Sequence, residues 1–278
     1  MRTYVVTGGT DGIGRGLGLH LLGRGDRVLS IASGAAKGQR FLAAAAAIGA
    51  GERADFVRAD LSTLAGMRAA VTEVGARTSA VDGLVLGAQR FQPTRVQTED
   101  GFEFGFALNY LSRYLLGHEL TGQLERATAP VVLSLAGSGG LPGTIRWDDL
   151  QFAHDYRGRH AAMQSSRCND LLGVAYPARH PGTNVHYVLF NPGFVRTAMA
   201  DPLPTAQRLL TKGLATVFAR SVGKTVPPLV ELLDRPPAEP VSAWFRGRRL
   251  SLTGEDFDPA RATRLDAVTA ELIAGVRS

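Results

Sequence analysis

The sequence predicts one α/β domain built on a parallel, doubly wound sheet of about seven strands with helices on both faces. Three observations carry that expectation. Short apolar runs alternate along the chain with segments of helical length, as in successive βαβ units. The first unit holds a glycine-rich turn, Thr7-Gly8-Gly9-Thr10-Asp11-Gly12-Ile13-Gly14, between the apolar run Tyr4-Val5-Val6 and the helical pattern of Leu17, Leu19, Leu21 and Leu22. The 278 residues, 45% hydrophobic and 20% charged, suffice for one large core and contain no internal repeat or low-complexity linker.

Taken in order, the glycine turn and its helix are followed by a second strand over Arg27–Ala32, which Ser33 and Gly34 end. An alanine-rich helix from about Ala36 to Ile48 precedes a third strand, Ala54–Arg58, closing at Ala59-Asp60-Leu61. Ser62 is the expected N-cap of a helix running to about Glu73. A fourth strand spans Val81–Leu86, and a loop with Pro93 leads to a long helix, roughly Phe102–Glu125. Pro130–Leu135 is the fifth strand, ahead of Gly137-Ser138-Gly139-Gly140. An irregular stretch with Trp147, Asp148 and Asp149 leads to a helix over about Ala161–Arg179 and a sixth strand, Asn184–Phe190, which ends in Asn191-Pro192-Gly193. The segment Thr197–Arg220 is helical after Pro202 and Pro204, Val241–Leu252 is the last strand, and Pro259 opens a terminal helix.

Composition excludes several function classes. No apolar run is long enough to span a membrane, and the first strand begins by Arg2 or Thr3, so a cytoplasmic protein without a targeting segment is expected. The single cysteine, Cys168, rules out an internal disulfide and a cysteine-rich zinc site, and no metal is expected. A net charge of +6 raises nucleic acid as a partner. Its one compact basic cluster, Arg246-Gly247-Arg248-Arg249, lacks interleaved aromatics to stack bases and fits a solvated face. The positive residues are nearly all arginine, with Lys37, Lys212 and Lys224 the only lysines, as in a chain from a GC-rich bacterial genome.

Glycines let a backbone turn tightly against a pyrophosphate whose charge meets the helix N-terminal N–H groups, so the turn at Thr7–Gly14 marks a dinucleotide site. Together with later landmarks it resembles the short-chain dehydrogenase/reductase family, in particular its retinol-dehydrogenase-like members. Thr7, Gly8, Gly12 and Gly14 match the family's Thr-Gly-x-x-x-Gly-x-Gly, and Asp60-Leu61 its adenine-contacting Asp-Leu pair. Asn109 matches a helical Asn that holds a water in the proton relay, and Pro192, Gly193 and Thr197 match the segment that wraps the nicotinamide. The resemblance implies a single Rossmann-type domain over 1–278 and a substrate-covering segment over about 197–240. It also implies a homodimer or homotetramer formed through the Phe102–Glu125 and Ala161–Arg179 helices. The implied cofactor contacts are Thr7, Gly8, Thr10, Asp11, Gly12, Ile13, Gly14, Ser33, Lys37, Asp60, Leu61, Gly87, Ala88, Pro192, Gly193, Val195 and Thr197.

The pattern departs from the family where the chemistry lies. Ala162 and Ser166 stand over the Tyr and Lys of Tyr-x-x-x-Lys, in a register fixed by Gln164, Ser165 and Asn169. Direct alignment gives Ala136 for the catalytic serine, and a two-residue slip gives Ser138. Gly87-Ala88-Gln89 replaces Asn-Ala-Gly. The residues left to act at the site are Asn109, Ser138, Tyr156 and His160. His160 is also read as an exposed loop histidine beside Arg159, and Tyr156 as a structural tyrosine. Arg167, about 100° round the helix from Ser166, is expected to be a surface charge pointing away from the ribose, and Cys168 a small buried residue.

The second strand ends without an acid to accept both ribose hydroxyls, and Ser33 and Lys37 can meet a 2′-phosphate. Asp11, an acid where NADP users often carry a base, counts the other way, and the balance leans to NADP(H) over NAD. The leading expectation is an oxidoreductase of a fairly hydrophobic carbonyl or alcohol with a non-standard proton donor. The alternatives are a non-redox enzyme on this scaffold (a cyclase, dehydratase or aldol-type catalyst of bacterial secondary metabolism) and a dinucleotide-binding sensor.

Overall fold

Side chains of β1 (Thr3–Thr7) alternate between two hydrophobic layers, as a strand buried on both faces requires. Val5 joins one layer, Tyr4 and Val6 the other. The computed structural model describes residues 1–138, 143–193 and 222–276. Within them β1 is joined by β2 (Arg27–Ala32), β3 (Ala54–Arg58), β4 (Gly83–Leu86), β5 (Val131–Leu135), β6 (His186–Asn191), β7 (Val241–Phe245) and β8 (Arg248–Leu250). Their order in the sheet is β3-β2-β1-β4-β5-β6-β7-β8. Val5 lies opposite Leu29 of β2 on one side and Leu84 of β4 on the other, both in parallel register. The chain therefore changes its direction of travel across the sheet at β1. The carboxyl ends of β1 and β4 border the crevice in which open α/β sheets hold ligands.

The helices are α1 (Gly12–Gly23), α2 (Ala35–Ala47), α3 (Leu64–Arg77), α4 (Phe104–Phe106), α5 (Ser112–Glu119), α6 (Thr121–Leu124), α7 (Gly158–Arg179), α8 (Val222–Asp234) and α9 (Pro259–Ala274). Leu17 and Leu21 of α1, Phe41 of α2 and Leu229 of α8 cover one face of the sheet. Met67 of α3, Leu115 of α5, Leu171 of α7 and Leu265 of α9 cover the other. The doubly wound architecture expected from the sequence is the observed one, with an eighth strand.

Three local differences have physical causes. The expected last strand is a hairpin, β7 parallel to β6 and β8 antiparallel to β7. Arg246 and Gly247 turn it with φ of 52° and 85°, the paired positive angles that match the twist of a tight hairpin. That turn holds part of the basic cluster, and Arg249 pairs with Glu239 at 2.7 Å. Thr63, not Ser62, caps α3, its hydroxyl accepting from the Gly66 N–H at 3.1 Å, while Ser62 donates to Asp60. The long helix expected over Phe102–Glu125 passes through a π turn, Ala107–Leu111, that includes Asn109. Of the segment expected over about 197–240, residues 197–221 lie outside the described residues, and the rest begins with α8, whose Val226, Leu229 and Leu233 are core side chains.

α9 packs along α7 and meets Tyr110 and Tyr114, in the two helices through which the family resemblance implies a subunit interface. Thr269 meets the Tyr110 hydroxyl at 2.7 Å, Asp266 pairs with Arg179 at 2.7 Å, and Ala262 and Leu265 are buried. At the far end His118 and His180 share a proton between Nδ1 and Nε2 at 2.8 Å. Burial, then Arg179 and His180, lower the His118 pKa to about 3 despite the Asp266 carboxylate at 3.7 Å. A histidine held neutral in the fold and titrating near 6.5 when unfolded loses stability as pH falls below that value. Unfolding free energy is expected to drop by about 2 kcal/mol between pH 7 and pH 5 through this group. A His118→Gln variant, followed by urea unfolding at both values, should lack that part of the slope.

Candidate functional site

The first wall of the site is the turn between β1 and α1. Gly8 and Gly12 adopt φ of 68° and 50°, angles that side chains rarely take. A Cβ on Gly14 would fall 2.5 Å from the Gly8 carbonyl oxygen, and one on Gly8 would fall 3.0 Å from the Ala88 nitrogen. Thr7 ties the turn to the end of β4, its hydroxyl accepting from the Gly87 and Ala88 N–H groups at 3.0 and 3.1 Å. Asp11 caps α1 by accepting from the Gly12 N–H at 2.8 Å. Thr10 is buried, and Ile13 packs on the core. The strand–turn–helix context that makes a glycine pattern a phosphate cradle is present. Side chains at those glycines would distort the turn that a dinucleotide's pyrophosphate would lie against.

Residues for the adenosine end surround the carboxyl ends of β2 and β3. Asp60 is exposed, and one of its oxygens accepts from the Ser62 N–H and hydroxyl at 2.9 and 2.7 Å, which fixes the carboxylate's direction. Leu61 is buried beside it. Lys37 forms an ion pair with Asp11, whose carboxyl is held below the usual range first by that bond and also by the Gly12 N–H. The cation assigned to a 2′-phosphate thus already has a carboxylate partner. Arg58, missed in the sequence, donates from Nε to the Ser33 carbonyl at 3.3 Å and is exposed. Its only sequence signal is a lone basic residue ending a strand two positions before Asp60.

The opposite wall runs from β6 to α7. Asn191 accepts from the Gly193 N–H at 2.9 Å and donates to the Ser138 carbonyl at 3.1 Å, joining the ends of β6 and β5. Gly193 has φ of 70°, and the Arg246 side chain lies over it, where a Cβ would come within 2.4 Å of Nε. Val195 and Thr197 lie outside the described residues. On α7, Ala162 and Ser166 are one turn apart and both half-buried, with the Ser166 hydroxyl donating to the Ala162 carbonyl at 3.2 Å. Asn169, on the same side of the helix, donates to the Asn109 carbonyl at 2.8 Å.

The four candidates for chemistry are placed differently. The Asn109 side chain is spent on the backbone of Arg90, accepting from its N–H at 3.0 Å and donating to its carbonyl at 3.2 Å. Ser138, expected at the mouth, is fully buried, so the two-residue slip turns its hydroxyl into the interior, where it lies against Asp170. Tyr156 donates to the Gln92 carbonyl and the Glu103 carboxylate at 3.1 and 3.2 Å. Glu103 is itself buried and caps α4. Burial and that carboxylate push the Tyr156 pKa well above its ordinary value, making it a poorer acid. His160 is exposed and precedes Ala162 by two residues, about 200° round the helix.

Arg167 corrects the expectation of a surface charge. It points away from the Ser166 side, as a 100° rotation requires, but inward, and is only 1% exposed. Its guanidinium pairs with Asp170 at 2.8 Å and with Asp256, and donates to the Gly137 carbonyl at 2.9 Å. Desolvation raises the Asp170 pKa to about 7, against the pull of Arg167. Cys168 is buried as expected, its thiol pushed up by burial. Among the described residues no group of histidine, cysteine or carboxylate side chains could hold a metal, and no helix is long and apolar enough to cross a membrane.

A model of the short chain dehydrogenase family matches residues 2–147, more than half of the chain. The chain belongs to the short-chain dehydrogenase family. Human retinol dehydrogenase 14 is 28% identical to this chain over 88% of the chain and 78% of its own length. A Streptomyces sp. (strain C5) protein named as a daunorubicin C-13 ketoreductase is 28% identical over 98% of the chain and 92% of its own length. Among solved structures, NADPH-bound carbonyl reductase from chicken fatty liver superposes with a TM-score of 0.66 at 18% identity. It covers 90% of this chain and 99% of its own. That likeness is one of fold. Within the family, this chain keeps the glycine cradle and carries Ala162 and Ser166 where the tyrosine and lysine are expected.

Proposed function

We propose that this chain binds NADP(H) and reduces a fairly hydrophobic carbonyl compound, with the final proton drawn from water rather than from a side-chain acid. The observation that carries the reading is the cradle at Gly8, Gly12 and Gly14: a Cβ on Gly14 would collide with the Gly8 carbonyl, one on Gly8 would press on the Ala88 backbone, and Gly8 and Gly12 both take positive φ. The residues that would hold the cofactor are those of this cradle with Thr7, Asp60, Ala88 and Gly193. The cofactor, when bound, supplies hydride.

The chain's own residues decide where the proton comes from. Ala162 and Ser166 leave the pocket side of α7 lined by a methyl group and a hydroxyl already bonded to its own helix. Tyr156 holds Glu103, Ser138 is closed off, and His160 is exposed about 200° round the helix from Ala162, so none of these candidate acids stands beside Ala162. Water entering over Ala162 can protonate an alkoxide, without the factor of about 10²–10⁴ that a positioned general acid contributes. A hydrophobic substrate is favoured by relatives named for retinol and for daunorubicin. Any homodimer or homotetramer is proposed to use a face other than the α5–α7 pair, which carries α9.

NADP(H) over NAD(H) rests on Arg58 beside Ser33 and on the lack of an acid at the end of β2. Arg58→Ala is expected to weaken NADPH binding about tenfold, the scale of one charge-assisted hydrogen bond, and to leave NADH unchanged. The activity itself is tested by following NADPH absorbance with a panel of apolar ketones and aldehydes. Slow, saturable oxidation supports a reductase. Tight binding without turnover across the panel favours the second reading, a dinucleotide sensor, which Ala162 and Ser166 themselves recommend.

A further inference from the structure

We propose that Arg113 is a buried cation that biases this dinucleotide site toward the reduced cofactor, and so toward carbonyl reduction rather than alcohol oxidation. The inference rests on the nicotinamide-dinucleotide reading above and adds a direction to it.

Arg113 lies in α5 and is only 1% exposed. Buried arginines ordinarily face a carboxylate, because an uncompensated charge is costly to desolvate. This one faces neutral groups. Nη1 donates to the Ser134 hydroxyl at 3.0 Å, Nη2 lies 3.5 Å from the Ala88 carbonyl, and Nε has no partner among the described residues. The phenol of Tyr187 is the titratable group it senses, and burial holds that phenol protonated. Asp170, which also acts on Tyr187, is committed to Arg167 at 2.8 Å. Desolvation lowers the Arg113 pKa only to about 10, so it is charged at neutral pH.

Its position gives that charge a target. Ala88, whose carbonyl it approaches, donates its N–H to Thr7 and stands in van der Waals reach of Gly8. The guanidinium thus sits behind the end of β4, one residue from the floor of the proposed cofactor crevice. An oxidised nicotinamide ring is cationic and a reduced one neutral. A fixed positive charge under the floor costs the oxidised form more, in a medium that screens poorly. The same field favours the negative oxygen that hydride delivery leaves on a carbonyl, a part of the service a lysine at Ser166 would give.

The test compares dissociation constants, not turnover. NADPH is titrated by its fluorescence, and NADP⁺ by displacement of bound NADPH. The unmodified chain should bind NADPH roughly tenfold more tightly than NADP⁺, the scale of a unit charge acting through poorly screening protein. Arg113→Met should erase most of that ratio, and Arg113→Lys, which keeps the charge, should preserve it. A merely structural arginine would weaken both forms equally. Equal loss of both in Arg113→Met, or a lysine variant that behaves like methionine, overturns the inference. So does an unmodified chain that binds NADP⁺ as tightly as NADPH, whether or not either variant folds. A chain that binds neither form overturns the dinucleotide reading and this inference together.

Discussion

Arg167→Met is expected to destabilise the protein by about 3–5 kcal/mol, seen as a lower urea midpoint at an unchanged slope. Asp170 is wholly buried, and its only basic partner within 4 Å among the described residues is Arg167. Removing the cation strands a carboxylate in the core and frees the Gly137 carbonyl and Asp256. The deficit should depend on pH with a defined sign. A carboxyl whose folded pKa is raised makes the fold less stable as pH climbs from its unfolded value, near 4, toward its folded one. The variant should therefore recover stability between pH 8 and pH 5. Adding Asp170→Asn should restore most of the loss at pH 8. An Arg167→Met protein with the original midpoint would mean that the buried pair contributes nothing.

The largest functional effect is expected from Ala162→Tyr combined with Ser166→Lys. The two positions lie one turn apart on the pocket side of α7, so the tyrosine and lysine can act together. Carbonyl reduction with NADPH should rise by on the order of 10²–10⁴ in kcat/KM, the contribution of a positioned general acid. Ala162→Tyr alone should gain less, since nothing then lowers a phenol pKa near 10. Lack of any gain in a double variant that folds and binds NADPH would show that another part of the site limits the reaction.

Much of the fold is legible in the sequence because periodicity reports burial directly. β2 and β3 fall at the predicted residues, Arg27–Ala32 and Ala54–Arg58. Each is a run that needs no distant partner to be recognised. Cofactor-side residues are legible for a similar reason, since a glycine turn between strand and helix is a local pattern. The residues that sequence misplaces depend on partners remote in the chain. Arg167 reads as a surface charge because its buried partner Asp170 looks like an ordinary i, i+3 surface pair, and the Gly137 carbonyl and Asp256 that complete its site lie 30 and 89 residues away. Lys37 reads as a phosphate ligand because Asp11, which holds it, lies 26 residues away. The hairpin at Arg246-Gly247 escapes notice because an arginine at positive φ is uncommon and leaves no composition signal. Arg113 lies among Leu111, Tyr114, Leu115 and Leu116, and is passed over because a lone arginine is normally solvated.

The most direct measurement is a fluorescence titration of the unmodified chain with NADPH, alongside a Gly14→Val variant. Saturable binding by the unmodified chain, lost when a side chain fills the space 2.5 Å from the Gly8 carbonyl oxygen, is the expected result. No binding at millimolar NADPH, or equal binding by both proteins, would contradict a working dinucleotide cradle at Thr7–Gly14.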